Sequence, residues 1–277
     1  MIADELMDLE IQLLMEGVYQ VYGYDFREYS EASLRRRLTQ WLSGSGFSTL
    51  SLAQSQLLRD RTLFDSLLRG ITVNVSEMFR DPAFFKAVRE QVVPYLKTYP
   101  FVKIWHAGCA SGEEAYSMAI LLLEEGLKGR FRIYATDINE EVIRKAQEGI
   151  YPLHELQHFT RNYQHAGGTG SFSDYYTARY DRAMLSPSLR DNIVFAAHNL
   201  AVDADFGEMN LILCRNVMIY FKQPLKERVL GLFDDSLVPG GFLCLGTKES
   251  LEHRQISGRY EAITARMQIF RKRYAKK

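Results

Sequence analysis

The chain has 277 residues, 34 Lys and Arg against 34 Asp and Glu, and 47% hydrophobic side chains. That length suits one large domain or two modest ones, with apolar sequence enough for a core without cross-links. Zero net charge speaks against a dedicated nucleic-acid coat, which needs surplus cations to displace counterions, and 25% charged residues with 7 prolines speak against disorder.

The first residues, MIADELMDLEIQLL, are acidic, so no signal peptide is expected. Residues 1 to about 70 read as helical. Leu6, Leu9 and Leu13 recur at helical spacing before Gly17, which reads as a stop. Leu34, Leu38, Trp41 and Leu42 form a second stripe after Ser30 and Ser33. Leu63, Phe64, Leu67 and Leu68 form a third, ended by Gly70. A β-branched stretch, ITVNVS, follows at 71–76. Asp81-Pro82 then predicts an N-cap and first-turn proline for a helix to about Thr98.

From residue 101 short β-rich runs alternate with helices. Strands are expected in VKIWHAGC (102–109), FRIYATDI (131–138), NIVFAAHNL (192–200), MNLILCRN (209–216), GFLCLGT (241–247) and RMQIFRK (266–272). Helices are expected from about Ser111, from Asn139 to Gly149, and from about Pro224 to Leu237. This alternation predicts an α/β domain with a mainly parallel sheet and helices on both faces. Residues 156–191, with Gly167-Gly168-Thr169-Gly170 and the Tyr-rich DYYTARYD, break the rhythm and read as an inserted antiparallel unit. The expected layout is a helical domain over 1–75, a linker and first helix over 76–100, and a second domain over 101–277.

Cys109, Cys214 and Cys244 are odd in number, widely spaced and set in apolar runs. Buried reduced thiols and a cytoplasmic protein are expected, and no Cys/His spacing suits zinc. The longest purely apolar run, Met118–Leu123, is far short of a membrane span.

Chemistry gathers where predicted strands end. The first ends in Gly108-Cys109-Ala110-Ser111-Gly112-Glu113-Glu114, a glycine-containing turn into a helix whose amides would face a ligand, though its spacing is not GxGxxG. Asp137 ends the second strand, 25 residues beyond Gly112, where a carboxylate can accept both ribose hydroxyls of a nucleoside. The acidic first turn of the following helix would repel a pyrophosphate but not a cationic nucleoside. That favours a sulfonium cofactor such as S-adenosylmethionine over NAD. A further strand ends in Cys214-Arg215-Asn216, ahead of Val217-Met218-Ile219-Tyr220-Phe221. Three polar strand tips over one crevice are a stronger signal than any one of them.

The runs TVNVSEMFRDP (72–82), GCASGEEAYSMA (108–119), ATDINEEVI (135–143), HNL (198–200) and LCRNVMIYF (213–221), in this order, resemble the bacterial chemotaxis receptor methyltransferases, the CheR family, over nearly the whole chain. The resemblance implies a Rossmann-like S-adenosylmethionine-dependent methyltransferase domain with a small β insertion, preceded by an all-helical domain. It implies methyl transfer to glutamate side chains on the cytoplasmic helices of chemoreceptors, with S-adenosylhomocysteine as product. It places Asn74, Ser76, Arg80, Gly108, Glu113 or Glu114, Asp137, Asn199, Leu200, Cys214, Arg215 and Asn216 at the cofactor. Arg80 and Tyr220 come nearest the reacting groups. Ser76 stands where the family often has threonine, and the hydroxyl is kept. Arg35, Arg36 and Arg37, on the polar side of the second helix, are expected to dock the Glu-rich receptor helices.

A substrate carboxylate, with a pKa near ~4.3, is already a nucleophile at neutral pH, so no general base is needed. The enzyme must mainly align two groups and exclude water. Two other readings fit the same motifs: a methyltransferase for a small molecule or RNA, and a non-catalytic module that binds the cofactor or its product. Neutral charge and the lack of an aromatic-rich basic groove weigh against RNA. Neither metal, nucleic acid nor membrane insertion is expected, and a monomer is. The GGTG loop is short, so receptor-tail tethering by the insertion is not expected.

Overall fold

A computed structural model describes residues 2–205, 207–251 and 256–274. The chain divides into two compact units. The first comprises the described residues of Met1–Asn74 with Asn199–Asp203 and Tyr220–Val229. The second comprises Val75–His198, Ala204–Ile219 and the described part of Leu230–Lys277.

The first unit is built on α1 (Ile2–Tyr22), α2 (Glu31–Ser45), α3 (Leu50–Leu57) and α4 (Arg61–Ile71). α1 buries Ile11, Leu14, Met15 and Val18, while Leu6, Leu9 and Leu13 stay more than half or about half exposed (56%, 50% and 52%). The helix was legible in the apolar spacing, but its inward face was not, because two leucine-rich stripes share the same turns. Gly17 does not stop α1. A Cβ there would sit 3.1 Å from Leu58 Cδ1, so the small residue lets the end of α3 approach. α2 buries Leu34, Leu38 and Trp41 against α4, where Gly70 leaves room for the indole. Trp41 Nε1 donates to Ser66 Oγ at 3.2 Å.

α3, only eight residues long and without a strong periodic signal, was not anticipated. An isolated helix of that length is unstable in water, so packing must sustain it. Leu50, Ala53 and Leu57 are buried, and the Thr49 hydroxyl caps Leu52 N at 3.2 Å. Each leucine so buried contributes about 1.5–3 kcal/mol. The unit also takes in residues 220–222, which pair antiparallel with 28–30. Ser30 N donates to the Tyr220 carbonyl and Lys222 N to the Glu28 carbonyl, both at 2.7 Å.

The second unit opens with α5 (Pro82–Ala87) and α6 (Val93–Leu96), joined through a π turn at Val88–Val92 in place of the single regular helix expected to Thr98. Then come β1 (Val102–Ala107), α7 (Glu113–Glu124), β2 (Phe131–Asp137), α8 (Glu140–Glu148), β3 (Ile150–Pro152), α9 (Leu156–His165), β4 (Tyr176–Arg179), β5 (Arg182–Leu185), α10 (Pro187–Arg190), β6 (Ile193–Ala197) and β7 (Met209–Cys214). α11 (Gln223–Ser236), whose residues up to Val229 count with the first unit, β8 (Leu237–Leu245), β9 (Tyr260–Thr264) and β10 (Ile269–Lys272) complete the order.

Seven strands form one sheet in the order β6-β2-β1-β7-β8-β10-β9. The first five run parallel, and β10 is antiparallel to both its neighbours. β7 is buried at every position, as a central strand covered on both faces should be. β9 was missed by sequence reading, because only Tyr260 is buried and its five residues give neither alternation nor an apolar run.

The strand order changes direction at β1 and β7, so the crevice over their carboxyl ends is the ligand-binding place of such folds. A separate antiparallel sheet, β3-β5-β4, draws its first strand from residues 150–152, and α9 lies in the chain between β3 and β4. The GGTG loop is tied down through Glu124, which accepts from the Tyr163 and Tyr175 hydroxyls and pairs with Arg89 at 2.7 Å. The three cysteines are free and buried. No helix among the described residues is long and apolar enough to cross a membrane.

Candidate active site

The turn from β1 into α7 alternates left-handed residues, with φ of 80° at Gly108, 48° at Ala110 and 92° at Gly112. Its amides are committed to the neighbouring strand. Gly108 N and Cys109 N donate to the Thr136 carbonyl, and Ala110 N donates to Asp137 Oδ2 at 2.9 Å. Gly108 is required twice over. Its φ suits glycine, and a Cβ would fall 2.3 Å from Val217 Cγ2. The space a side chain would take is thus filled by the turn after β7, not left for a ligand.

Asp137 is half-buried at the tip of β2. Its other oxygen accepts from Asn139 N at 3.0 Å, while the Asn139 side chain caps α8 through Glu141 N. Asp137 is therefore free of capping duty. Each oxygen keeps acceptor capacity, and burial pushes its carboxyl up from the ordinary range.

The adjacent glutamates separate. Glu113 accepts from Ser111 Oγ at 2.7 and 2.9 Å and also bonds the Ser76 side chain. Burial raises its pKa to about 7. Glu114 points the other way. Its Oε2 accepts from Arg215 Nη1 at 2.9 Å, while Oε1 is buried without a hydrogen-bond partner among the described residues. His106 Nε2 stands 3.5 Å from that oxygen, and burial lowers the imidazole's pKa, keeping it neutral.

Arg215, with its side chain 1% exposed, grips Asp81 Oδ2 at 2.6 Å as well as Glu114, and stacks 3.9 Å over the Phe84 ring. Its charge is thus spent inside the protein. Asp81 lies in the left-handed region and its side chain makes no capping bond, contrary to the expected N-cap; Arg215 has claimed it.

Arg80 sits between Phe79 (φ 53°) and Asp81 (φ 57°). Left-handed non-glycine residues cost about 1–3 kcal/mol each and persist where the surroundings demand them. Phe79 N is held by Ser117 Oγ at 2.8 Å, and the Arg80 carbonyl lies 3.4 Å from Arg215 Nη1. The backbone of Arg80 is pinned from both sides. Its half-buried guanidinium forms no hydrogen bond or ion pair among the described residues.

Cys214 is a buried thiol pushed well up by burial, so it is wall and not nucleophile. Asn216 adopts φ 61°, and its Oδ1 is buried without a partner among the described residues. Sequence reading missed Glu249. This buried carboxylate accepts from Gly246 N, Asn216 N, Val217 N and Ile219 N. The signal was available, since Glu249 is a charge just past the carboxyl end of β8.

The second unit therefore gathers Ser76, Arg80, Gly108, Glu113, Glu114, Asp137, Cys214, Arg215 and Asn216 around the ends of β1, β2 and β7. Asn74, Asn199, Leu200 and Tyr220 belong to the first unit. There Asn199 closes its own turn with Asp203, and Leu200 is buried. The Tyr220 ring lies under the Arg37 guanidinium at 5.1 Å.

The three arginines of α2 do not form one basic face. Arg35 is held by Asp4 and Asp8 at 2.8 and 2.5 Å, and Arg37 turns towards Tyr220 and the Thr72 carbonyl. Arg36 alone is exposed and unengaged among the described residues.

The polar inventory fits S-adenosylmethionine. Asp137 keeps open acceptor capacity, and Glu114 Oε1 and Asn216 Oδ1 are acceptors awaiting donors. A cationic ligand rich in N–H and O–H groups supplies them. Among the described residues no cluster of His, Cys, Asp or Glu could hold a metal ion.

Comparison with known proteins agrees. Residues 74–267 match the CheR methyltransferase SAM-binding domain, and residues 9–72 match the CheR methyltransferase all-alpha domain. The chain is 49% identical over 98% of its length, and all of the other's, to a Pseudomonas putida protein named "Putative methyltransferase Cher3". It is 29% identical to a chemotaxis protein methyltransferase of Listeria monocytogenes over 83% of this chain and 85% of that one. It is 27% identical to one of Salmonella typhimurium over 94% and 91%.

Proposed function

The chain belongs to the CheR methyltransferase family and uses S-adenosylmethionine, and on that premise we propose that it methylates glutamate side chains on the cytoplasmic helices of chemoreceptors. The observation that carries this reading is Arg80. A guanidinium without a partner among the described residues, on a backbone pinned by Ser117 and Arg215, is a ready clamp for an incoming carboxylate. Its planar fork matches both carboxylate oxygens.

When bound, the cofactor supplies a methyl group on a cationic sulfur. Its transfer to a receptor carboxylate would form a carbon–oxygen bond as the carbon–sulfur bond breaks, leaving a methyl ester and S-adenosylhomocysteine. No proton is transferred, so the protein needs no base, and the buried neutral thiol of Cys214 fits a wall that takes no part. Asp137 would take the ribose hydroxyls, and Glu114 Oε1 and Asn216 Oδ1, buried without partners among the described residues, would accept from the cofactor's remaining donors. Arg80 orients the substrate carboxylate without forming so tight a pair that its nucleophilicity is lost. For Asn74, Asn199, Leu200 and Tyr220 the family resemblance is the ground of the assignment. Names of similar proteins support a role in chemotaxis, in the cytoplasm where receptor helices are exposed.

Purified chemoreceptor incubated with methyl-labelled S-adenosylmethionine and this protein should acquire label. Mild base should release it as methanol, as an ester requires. Base-stable label would point to nitrogen methylation and sink the glutamate reading. Label appearing only on small molecules or RNA would do the same.

A further inference from the structure

The turn after β7 is held by one carboxylate from a distant part of the chain. Glu249 Oε2 accepts from Gly246 N at 2.6 Å and Asn216 N at 3.0 Å. Its Oε1 accepts from Val217 N at 3.0 Å and Ile219 N at 3.2 Å. Four backbone donors fill the acceptor sites of one carboxylate. Glu249 is buried, and it forms no ion pair among the described residues. Among the described residues its charge is balanced by peptide N–H groups alone.

The sheet does not need this arrangement for alignment. β7 and β8 are already registered from Leu211 against Phe242 to Cys214 against Leu245. Glu249 acts only beyond that ladder, on the two strand tips. The tips come so close that a Cβ at Gly246 would lie 2.7 Å from Glu249 Oε2 and 2.8 Å from Asn216 N. Asn216 is kept left-handed at this junction, with Oδ1 buried and unpartnered.

We propose that Glu249 is a positioning residue for methyl transfer, its carboxylate fixing the Asn216–Ile219 backbone so that Asn216 Oδ1 is presented to the cofactor. This rests on the methyltransferase reading above. Glu249 itself touches neither cofactor nor substrate.

Glu249→Gln keeps the size but turns an NH2 group towards two of the four amides. The folded variant should bind S-adenosylhomocysteine about tenfold more weakly by calorimetry. At saturating cofactor and receptor, kcat should fall by about tenfold or more, with the receptor KM within about twofold of wild type. Glu249→Asp keeps the charge, serves where Gln fails to fold, and should lie between Gln and wild type. In a cycle with Asn216→Ala, the double variant should bind the product no more weakly than the worse single variant.

Wild-type affinity and kcat in folded Glu249→Gln, or strictly additive losses in the cycle, would overturn the proposal. A purely structural residue would lower activity only in proportion to the unfolded fraction. If wild type binds the product but methylates no receptor, the substrate reading fails while the binding arms still test Glu249.

Discussion

Arg80 and Arg215 lie within reach of one another and use their charge in opposite ways. Arg215 is enclosed by Glu114, Asp81 and the Phe84 ring. Arg215→Ala would leave a buried carboxylate uncompensated and should cost about 3–5 kcal/mol in urea unfolding. Arg80 has no such partners among the described residues, so Arg80→Ala should keep the melting temperature within a few degrees while removing most methyl transfer. Arg80→Lys should rescue only in part, since an ammonium lacks the planar fork. Near-normal turnover in Arg80→Ala would end the clamp assignment. Asp137→Asn keeps one acceptor oxygen but loses the charge, and calorimetry should show S-adenosylmethionine binding weakened by about 1.5–3 kcal/mol. Unchanged affinity would remove Asp137 from the cofactor. Glu113 and Glu114 were inseparable as neighbouring letters. They diverge because consecutive helical residues point about 100° apart, one towards Ser111 and Ser76, the other towards Arg215.

Among the elements, α2 shows how a charge run divides once neighbours are present. Arg35 is neutralised by Asp4 and Asp8 of α1, and Arg37 covers Tyr220. Arg36 is left exposed and, among the described residues, unengaged, so any docking of an acidic receptor helix by this run would fall to it. Arg36→Ala should raise the receptor KM with kcat and cofactor affinity little changed, because docking is uniform binding. The defect should shrink as salt rises and the Debye length falls below about 10 Å. Arg35→Ala should change KM less. An unaltered KM in Arg36→Ala at low salt would return α2 to ordinary solvated surface. The helix was legible from Leu34, Leu38 and Trp41, and the fate of its arginines was not, since both partners of Arg35 come from another helix.

Over the whole molecule, two equilibria report on the site. Glu113 has its pKa raised to about 7 by burial, above the ordinary 4.5. The folded state therefore holds a proton that the unfolded state releases between these values. Stability should fall as pH rises from about 4.5 to 7 and level off above. Glu113→Gln should flatten that slope and gain up to roughly 3 kcal/mol over wild type at pH 8, measured by urea unfolding. A parallel pH profile in the variant would show that Glu113 does not titrate in this window. Product binding is the second equilibrium. S-adenosylhomocysteine at one hundred times its Kd should stabilise the protein by about 2.7 kcal/mol. That is a rise of roughly 5–10 °C in Tm. No shift would contradict cofactor binding.

The sequence alone determined the class of fold, the family and the cofactor. Alternating apolar runs and helix starts place Gly108, Asp137 and Asn216 at strand ends, and that periodicity is local, written within each segment. The motifs from 72 to 221 suffice to name the family. Tertiary structure decided what local pattern cannot hold: which stripe of α1 faces inward, whether α3 forms at all, and which arginines remain free. It decided too that Asp81 pairs with Arg215 instead of capping α5, and that Glu249 holds a turn more than thirty residues earlier in the chain. Burial, ion pairing and the satisfaction of backbone donors depend on groups distant along the chain, so they exist only once the sheet has brought those groups together.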